Sequence, residues 1–228
     1  MKTIRDIKVK GKTVLCRVDY NVPMKDGVIT DDLRIRASLP TLGFLREAGA
    51  QKIVLISHMG RPEGKDKNLS LAPVAKALSK MIPNVAFCDD VSGPDVEEDL
   101  VKMIKGGVLL LENLRFYPGE EKNDDEFIRE IVDSTGAEIF VQDGFAVVHR
   151  AHASTDAIKK FLPVYAGLLL EKEVTNLKKA LENPEHPVVL VMGGAKVDDK
   201  QPLIDKFENI ADTILVGGKI AADGYKYS

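Results

Sequence analysis

Tryptophan is absent from this chain, cysteine occurs twice, and aromatic residues make up only 6% of it. An excess of charge is lacking too, since the formal net charge is −3 and the isoelectric point is near 5.9. A nucleic-acid binder carries a strongly basic face interleaved with stacking rings, so that class is excluded as the main partner. Cys16 and Cys88 each follow apolar neighbours, and no CxxC spacing occurs. They read as small buried hydrophobes in a reducing compartment, not as zinc ligands or a redox pair. No apolar run approaches the ~20 residues of a membrane span. The first residues, Met1-Lys2-Thr3-Ile4-Arg5-Asp6, carry no apolar signal-peptide core. The expectation is a cytoplasmic protein with neither nucleic acid nor membrane as partner.

What is present is the patterning of a globular α/β protein, with 44% hydrophobic and 29% charged residues. Apolar runs of strand length alternate with amphipathic stretches. Spacing predicts helices over 36–48, 70–81, 95–104 and 124–134. Over 70–81, Leu71, Val74, Ala75 and Leu78 recur at helical spacing, and Ser70 stands where an N-cap belongs. Gly49 and Gly136 sit where a C-terminal glycine belongs. The βαβα alternation implies an open parallel sheet with helices on both faces, a Rossmann-like three-layer fold.

A longer helix is expected over 166–182, ending before Asn183-Pro184, because the residue before a proline resists the helical region. The pattern then restarts with a strand at 188–191, a helix at 199–210 and a strand at 213–216. Two βα units of this size bury too little apolar surface to fold alone. They are expected to pack on the first part or to open a second, incomplete lobe.

The strands of the first two-thirds end alike. Thr13-Val14-Leu15-Cys16 opens into Arg17-Val18-Asp19-Tyr20-Asn21, and Lys52-Ile53-Val54-Leu55-Ile56 into Ser57-His58-Met59-Gly60-Arg61. Val108-Leu109-Leu110-Leu111 opens into Glu112-Asn113-Leu114-Arg115, and Ile139-Phe140-Val141 into Gln142-Asp143-Gly144, with His149 and Arg150 shortly after. In an open parallel sheet such ends converge on one edge, where ligands bind. Singly, each arginine reads as a surface residue. Gathered on one edge, they describe a site for a small, highly charged anion. His149 and His152 have an HxxH spacing, but Arg150 between them and the lack of an evident third ligand favour anion binding over a metal. Asp143 keeps two readings, a turn cap or a substrate contact. Gly193-Gly194-Ala195-Lys196 is not a P-loop, and alone it reads as a turn beside a surface lysine.

Five segments together carry a family resemblance. They are Arg17-Val18-Asp19-Tyr20-Asn21-Val22-Pro23, Ser57-His58-Met59-Gly60-Arg61-Pro62, Leu111-Glu112-Asn113-Leu114-Arg115-Phe116, His149-Arg150-Ala151-His152-Ala153-Ser154 and Gly193-Gly194-Ala195-Lys196-Val197. In this order they resemble the phosphoglycerate kinase family over essentially the whole chain, but over only the first half of that family's length. The resemblance implies a phosphoglycerate-binding N-terminal lobe at 1–165, an interdomain helix at 166–183 and a truncated start of a nucleotide-binding lobe at 184–228. It implies reversible phosphoryl transfer between ATP and 3-phosphoglycerate, giving ADP and 1,3-bisphosphoglycerate, as in glycolysis and gluconeogenesis. The alternative is a truncated module that binds 3-phosphoglycerate without turnover.

By the same resemblance, Asp19, Asn21, Arg34, His58, Arg61, Arg115 and Arg150 bind the substrate. Arg61, Arg115 and Arg150 would hold the non-reacting phosphate, while Asp19, Asn21 and Arg34 would orient the glycerate end. Arg34 and Lys196 would be catalytic, and Gly194, Lys196 and Lys200 would contact the nucleotide. Mg-ATP or Mg-ADP is the implied cofactor of the complete enzyme, and no metal site is expected from these residues. Complete members are usually monomers that close by hinge-bending, and self-association is expected of a truncated piece.

The chemistry asks for these residue types. Phosphoryl transfer needs positioning and charge stabilisation more than a covalent nucleophile. Guanidinium groups bind phosphate and carboxylate through a bidentate fork. Glycines let backbone N–H groups approach a phosphate closely. Three departures stand out. Gln142-Asp143-Gly144-Phe145-Ala146-Val147-Val148 replaces the family's common Asn-Asp-Ala-Phe-Gly-Thr-Ala, Asp198 stands where serine is frequent, and Lys219 follows Gly217-Gly218 in place of an apolar helix start.

Overall fold

Val14-Leu15-Cys16, Ile53-Val54-Leu55-Ile56 and Val108-Leu109-Leu110 are apolar at every position, the pattern of strands buried on both faces. The computed structural model describes residues 1–182, 184–194 and 201–222, and there these runs form the centre of one parallel sheet. The chain divides into two units, Met1–Lys172 and Glu173–Ser228.

In the first unit the strands are β1 (Thr13–Arg17), β2 (Met24–Lys25), β3 (Val28–Ile29), β4 (Lys52–Ile56), β5 (Val85–Phe87), β6 (Gly107–Leu110), β7 (Ile139–Gln142) and β8 (Val164–Ala166). The helices are α1 (Leu33–Glu47), α2 (Ala72–Ser79), α3 (Pro94–Lys102), α4 (Pro118–Glu121) and α5 (Asp125–Thr135), and α6 (Leu168–Glu182) starts here. The sheet order is β5-β6-β4-β1-β7-β8, with every neighbouring pair parallel. β2 and β3 form a separate antiparallel pair.

Alternate side chains of a strand point to opposite faces, and two cores result. Val14, Cys16, Ile53, Leu55, Val108 and Leu110 pack with Ile35, Leu42 and Leu45 of α1 and Val74 and Leu78 of α2. Leu15, Val54, Ile56, Leu109 and Phe140 pack with Val96 and Leu100 of α3 and Ile128 and Ile131 of α5. The expected three-layer α/β fold is therefore observed.

Several element boundaries move for local reasons. α1 starts at Leu33 because the Asp31 carboxylate accepts the Leu33 N–H at 2.8 Å, and this puts Arg34 in its first turn. α2 starts at Ala72 with Leu71, not Ser70, at the N-cap position; Ser70 Oγ still accepts the Ala72 N–H at 3.1 Å, and Glu112 accepts the Leu71 N–H at 2.8 Å. The predicted helix from 166 begins instead at Leu168, because Val164–Ala166 pairs with β7 as an edge strand. Asp124 caps α5 through the Glu126 and Phe127 N–H groups, and Gly136 ends it at φ +57°.

The second unit holds the rest of α6, then β9 (Val189–Met192), α7 (Gln201–Phe207), β10 (Thr213–Val216) and α8 (Gly218–Ala222). β9 and β10 pair in parallel. Lys196, Asp198, Lys200, Asp223 and Gly224 lie outside the described residues. Among the described residues no helix is long and apolar enough to cross a membrane.

Candidate functional site

The chain leaves β1 towards β4 and later returns past it to β7. The order thus reverses beside β1, and the crevice at such a reversal is where an open α/β sheet binds ligands. Arg17 ends β1 at this point and is 1% exposed. Its Nε donates to Ser154 Oγ at 2.8 Å, and that hydroxyl donates to Glu120 Oε1 at 2.6 Å. Glu120 Oε2 accepts the Ser154 N–H at 3.0 Å. Burial alone would raise the Glu120 pKa, but His152, the Arg17 charge and the Ser154 donors outweigh it and hold the carboxyl low. His152 Nδ1 stands 3.8 Å from Glu120 Oε1, an ion-pair separation too long for a hydrogen bond.

Above this buried pair lie the arginines that end the other strands. His58 is buried, and Arg17, Arg115, Arg150 and His152 all act on it electrostatically. Desolvation first, then those charges, push its pKa down to about 2, so the imidazole is neutral. Arg115 is buried, and Arg150 and Arg61 both press on its charge. The structure thus brings Arg61, Arg115 and Arg150 into one cationic cluster, with the neutral His58 beside Arg115 and Arg150.

Anions balance this cluster only in part, through Glu121 beside Arg115 and Glu120 beside Arg17. Arg115 Nε lies 3.0 Å from Glu121 Oε1 but is not aligned for a hydrogen bond, and the buried Arg150 Nε has no hydrogen-bond partner among the described residues. A buried donor left unmade costs free energy, and an anion would satisfy both.

Gly60 ties the loops together. Its N–H donates to Asn21 Oδ1 at 2.9 Å, and its carbonyl accepts Arg115 Nη1 at 2.6 Å. Its φ is +61°, and a Cβ there would meet Leu69 Cδ2 at 2.9 Å, so glycine is favoured. Asn113 adds a second tie, accepting the Met59 N–H at 3.1 Å and donating to the Met59 carbonyl at 2.8 Å. Arg34 reaches from α1 to pair with Asp19, and it remains partly exposed. Asp143 acts as a cap: Oδ1 accepts the Leu169 and Leu170 N–H groups at 2.9 and 3.2 Å, at the start of α6. Burial raises its pKa, and the hydrogen bonds from Thr41, Leu170 and Leu169 only partly offset this.

In the second unit the ends of β9 and β10 carry Gly193-Gly194 and Gly217-Gly218. A Cβ on Gly218 would lie 3.5 Å from the Gly194 nitrogen, and Gly193 faces open space. Gly194 and Gly218 have φ of +131° and +66°, a region that favours glycine. Bare backbone gathered at parallel strand ends fits a phosphate-bearing ligand.

Sequence reasoning passed over Arg17, Glu120 and Ser154 as site residues. Arg17 carried a signal, a charge closing an apolar strand run. Glu120 and Ser154 carried none, because their roles arise from pairing across the fold.

A model of the phosphoglycerate kinase family matches residues 4–226. The phosphoglycerate kinase of Gloeobacter violaceus is 52% identical over 216 residues, covering 93% of this chain and 52% of that protein. The solved phosphoglycerate kinase of Coxiella burnetii superposes with a TM-score of 0.82 at 38% identity, over 98% of this chain and 57% of its own. That of Pyrococcus horikoshii OT3 gives 0.86 at 32% identity, over 99% and 58%. The chain spans about half the length of the relatives it matches.

Proposed function

The chain belongs to the phosphoglycerate kinase family, and we propose that residues 1–165 bind 3-phosphoglycerate for phosphoryl transfer in the complete enzyme. The observation that carries this reading is the cationic cluster of Arg61, Arg115 and Arg150 beside the neutral His58, with two guanidinium Nε groups lacking a hydrogen bond among the described residues.

In this reading Arg61, Arg115 and Arg150 grip the non-reacting phosphate, which shares charge through paired guanidinium N–H bonds. Asp19 and Asn21 orient the glycerate end. Arg34, exposed and held by Asp19, swings to the reacting carboxylate and stabilises charge as transfer proceeds. The substrate carboxylate is the nucleophile and is ionised at neutral pH, so no strong base is needed.

Residues 166–183 connect this lobe to a nucleotide lobe that starts at 184. There Gly194, Lys196 and Lys200 contact the nucleotide, with Lys196 facing the transferring group. Mg-ATP supplies the phosphoryl group and Mg-ADP accepts it on return. The protein works in the cytoplasm as a phosphotransferase with a carboxyl acceptor. A second reading is a module that binds 3-phosphoglycerate without turnover, which binding of 3-phosphoglycerate with no response to ATP would favour.

Calorimetric titration with 3-phosphoglycerate, native beside Arg61→Ala, tests the assignment. Binding that weakens by about tenfold or more in the variant is expected, since a charge-assisted contact is worth about 1.5–3 kcal/mol. No heat of binding to the native chain would contradict it.

A further inference from the structure

We infer that Arg17 is a positioning residue: it fixes His58 as the neutral imidazole carrying its proton on Nε2, a permanent hydrogen-bond donor to the phosphate end of the substrate. The inference rests on the 3-phosphoglycerate reading for the identity of the acceptor, but not for the state of the ring.

Arg17 Nη2 lies 3.1 Å from His58 Nδ1. A guanidinium has only donors, so Nδ1 must accept, and a neutral imidazole then holds its one proton on Nε2. Nε2 makes no hydrogen bond among the described residues. The groups facing the ring are Arg17 from β1, Arg115 from the loop after β6, and Arg150 and His152 from the loop after β7. All four oppose a second proton on the ring when charged. Arg17 is itself held from every side. Ser154 takes its Nε, the Val18 carbonyl takes Nη1, and Glu120 balances its charge from below.

Buried among arginines, the imidazole stays neutral, but it would alternate between tautomers if nothing held it. The Arg17 bond removes that freedom. The donor is then set before substrate arrives, and its strength does not vary with pH near neutrality.

The test reads the ring directly. In ¹⁵N-labelled native chain without ligand, His58 Nδ1 should appear as an unprotonated acceptor and Nε2 as protonated, unchanged between about pH 5 and 8. Arg17→Lys keeps a charge for Glu120 but loses the fork. In it Nδ1 loses its fixed donor, so the ring should stay neutral but exchange between tautomers, and 3-phosphoglycerate affinity should fall by about twofold or more at every pH in that range. A proton on Nδ1 in the native chain, or a mixture of tautomers, overturns the inference without any variant. So does an Arg17→Lys chain that keeps the native tautomer and the native 3-phosphoglycerate affinity. Native chain that shows the expected tautomer but binds no 3-phosphoglycerate overturns the donor role through failure of the substrate reading, and the ring assignment is judged by its spectrum alone.

Discussion

Gly167 lies so close to Asp143 that a Cβ on the glycine would stand 2.1 Å from the carboxylate Oδ1. The same oxygen accepts the first N–H groups of α6, so the two residues together fix where that helix begins. Gly167→Ala must displace Asp143 and forfeit both bonds. We expect a loss of about 2 kcal/mol or more in urea unfolding, from the cap and the overpacking combined. An unchanged midpoint would show that Asp143 can cap the helix from another rotamer.

Glu120 is the counter-ion beneath the cluster, and Glu120→Gln leaves the Arg17 guanidinium buried and unbalanced. Removing one partner of a buried pair costs about 3–5 kcal/mol. The double variant with Arg17→Met should lose less than the sum of the single changes, because the charges act as a unit. Additive losses would mean that Ser154 transmits nothing between them.

His58 makes stability depend on pH with a definite sign. Its pKa is about 2 when folded and about 6.5 when unfolded. Between those values the unfolded chain holds more protons, so the contribution is full above about pH 6.5 and erodes as pH falls, by up to about 1.4 kcal/mol per unit. Asp143, with its pKa raised, acts in the opposite sense, contributing more at low pH. Chemical denaturation from about pH 4 to 7 should show a shallower slope in His58→Gln than in the native chain. Equal slopes would mean that His58 protonates in the folded state.

Arg34 separates catalysis from stability. Its pair with Asp19 is partly exposed, and such pairs contribute about 0–1 kcal/mol. In the complete enzyme Arg34→Ala should abolish transfer while the unfolding midpoint stays within about 1 kcal/mol of native. Normal turnover in that variant would remove Arg34 from the reaction.

Much of this site was legible in the sequence because each strand announces its end. Arg61, Arg115 and Arg150 each stand a few residues past an apolar run, and a parallel sheet gathers such ends without further information. Legibility failed where an element is too short to show a period. β5 and β8 have three residues each and β2 and β3 two, so neither the sheet edges nor the hairpin could be read. It failed again where a role depends on a partner far along the chain. Ser154 lies 137 residues from Arg17, and nothing local distinguishes it from a loop serine. The even choice over Asp143 is resolved by its two backbone partners at α6, which the sequence places 26 and 27 residues away.

The most direct test of the anion site is the arginine Nε–H spectrum of the ¹⁵N-labelled chain during titration with 3-phosphoglycerate. Among the described residues the Nε groups of Arg115 and Arg150 make no hydrogen bond, although Glu121 lies 3.0 Å from that of Arg115. The account predicts that these two resonances shift together and become protected from solvent exchange as the ligand saturates. Resonances that stay in place while the ligand demonstrably binds would put the anion elsewhere and contradict the assignment of the cluster.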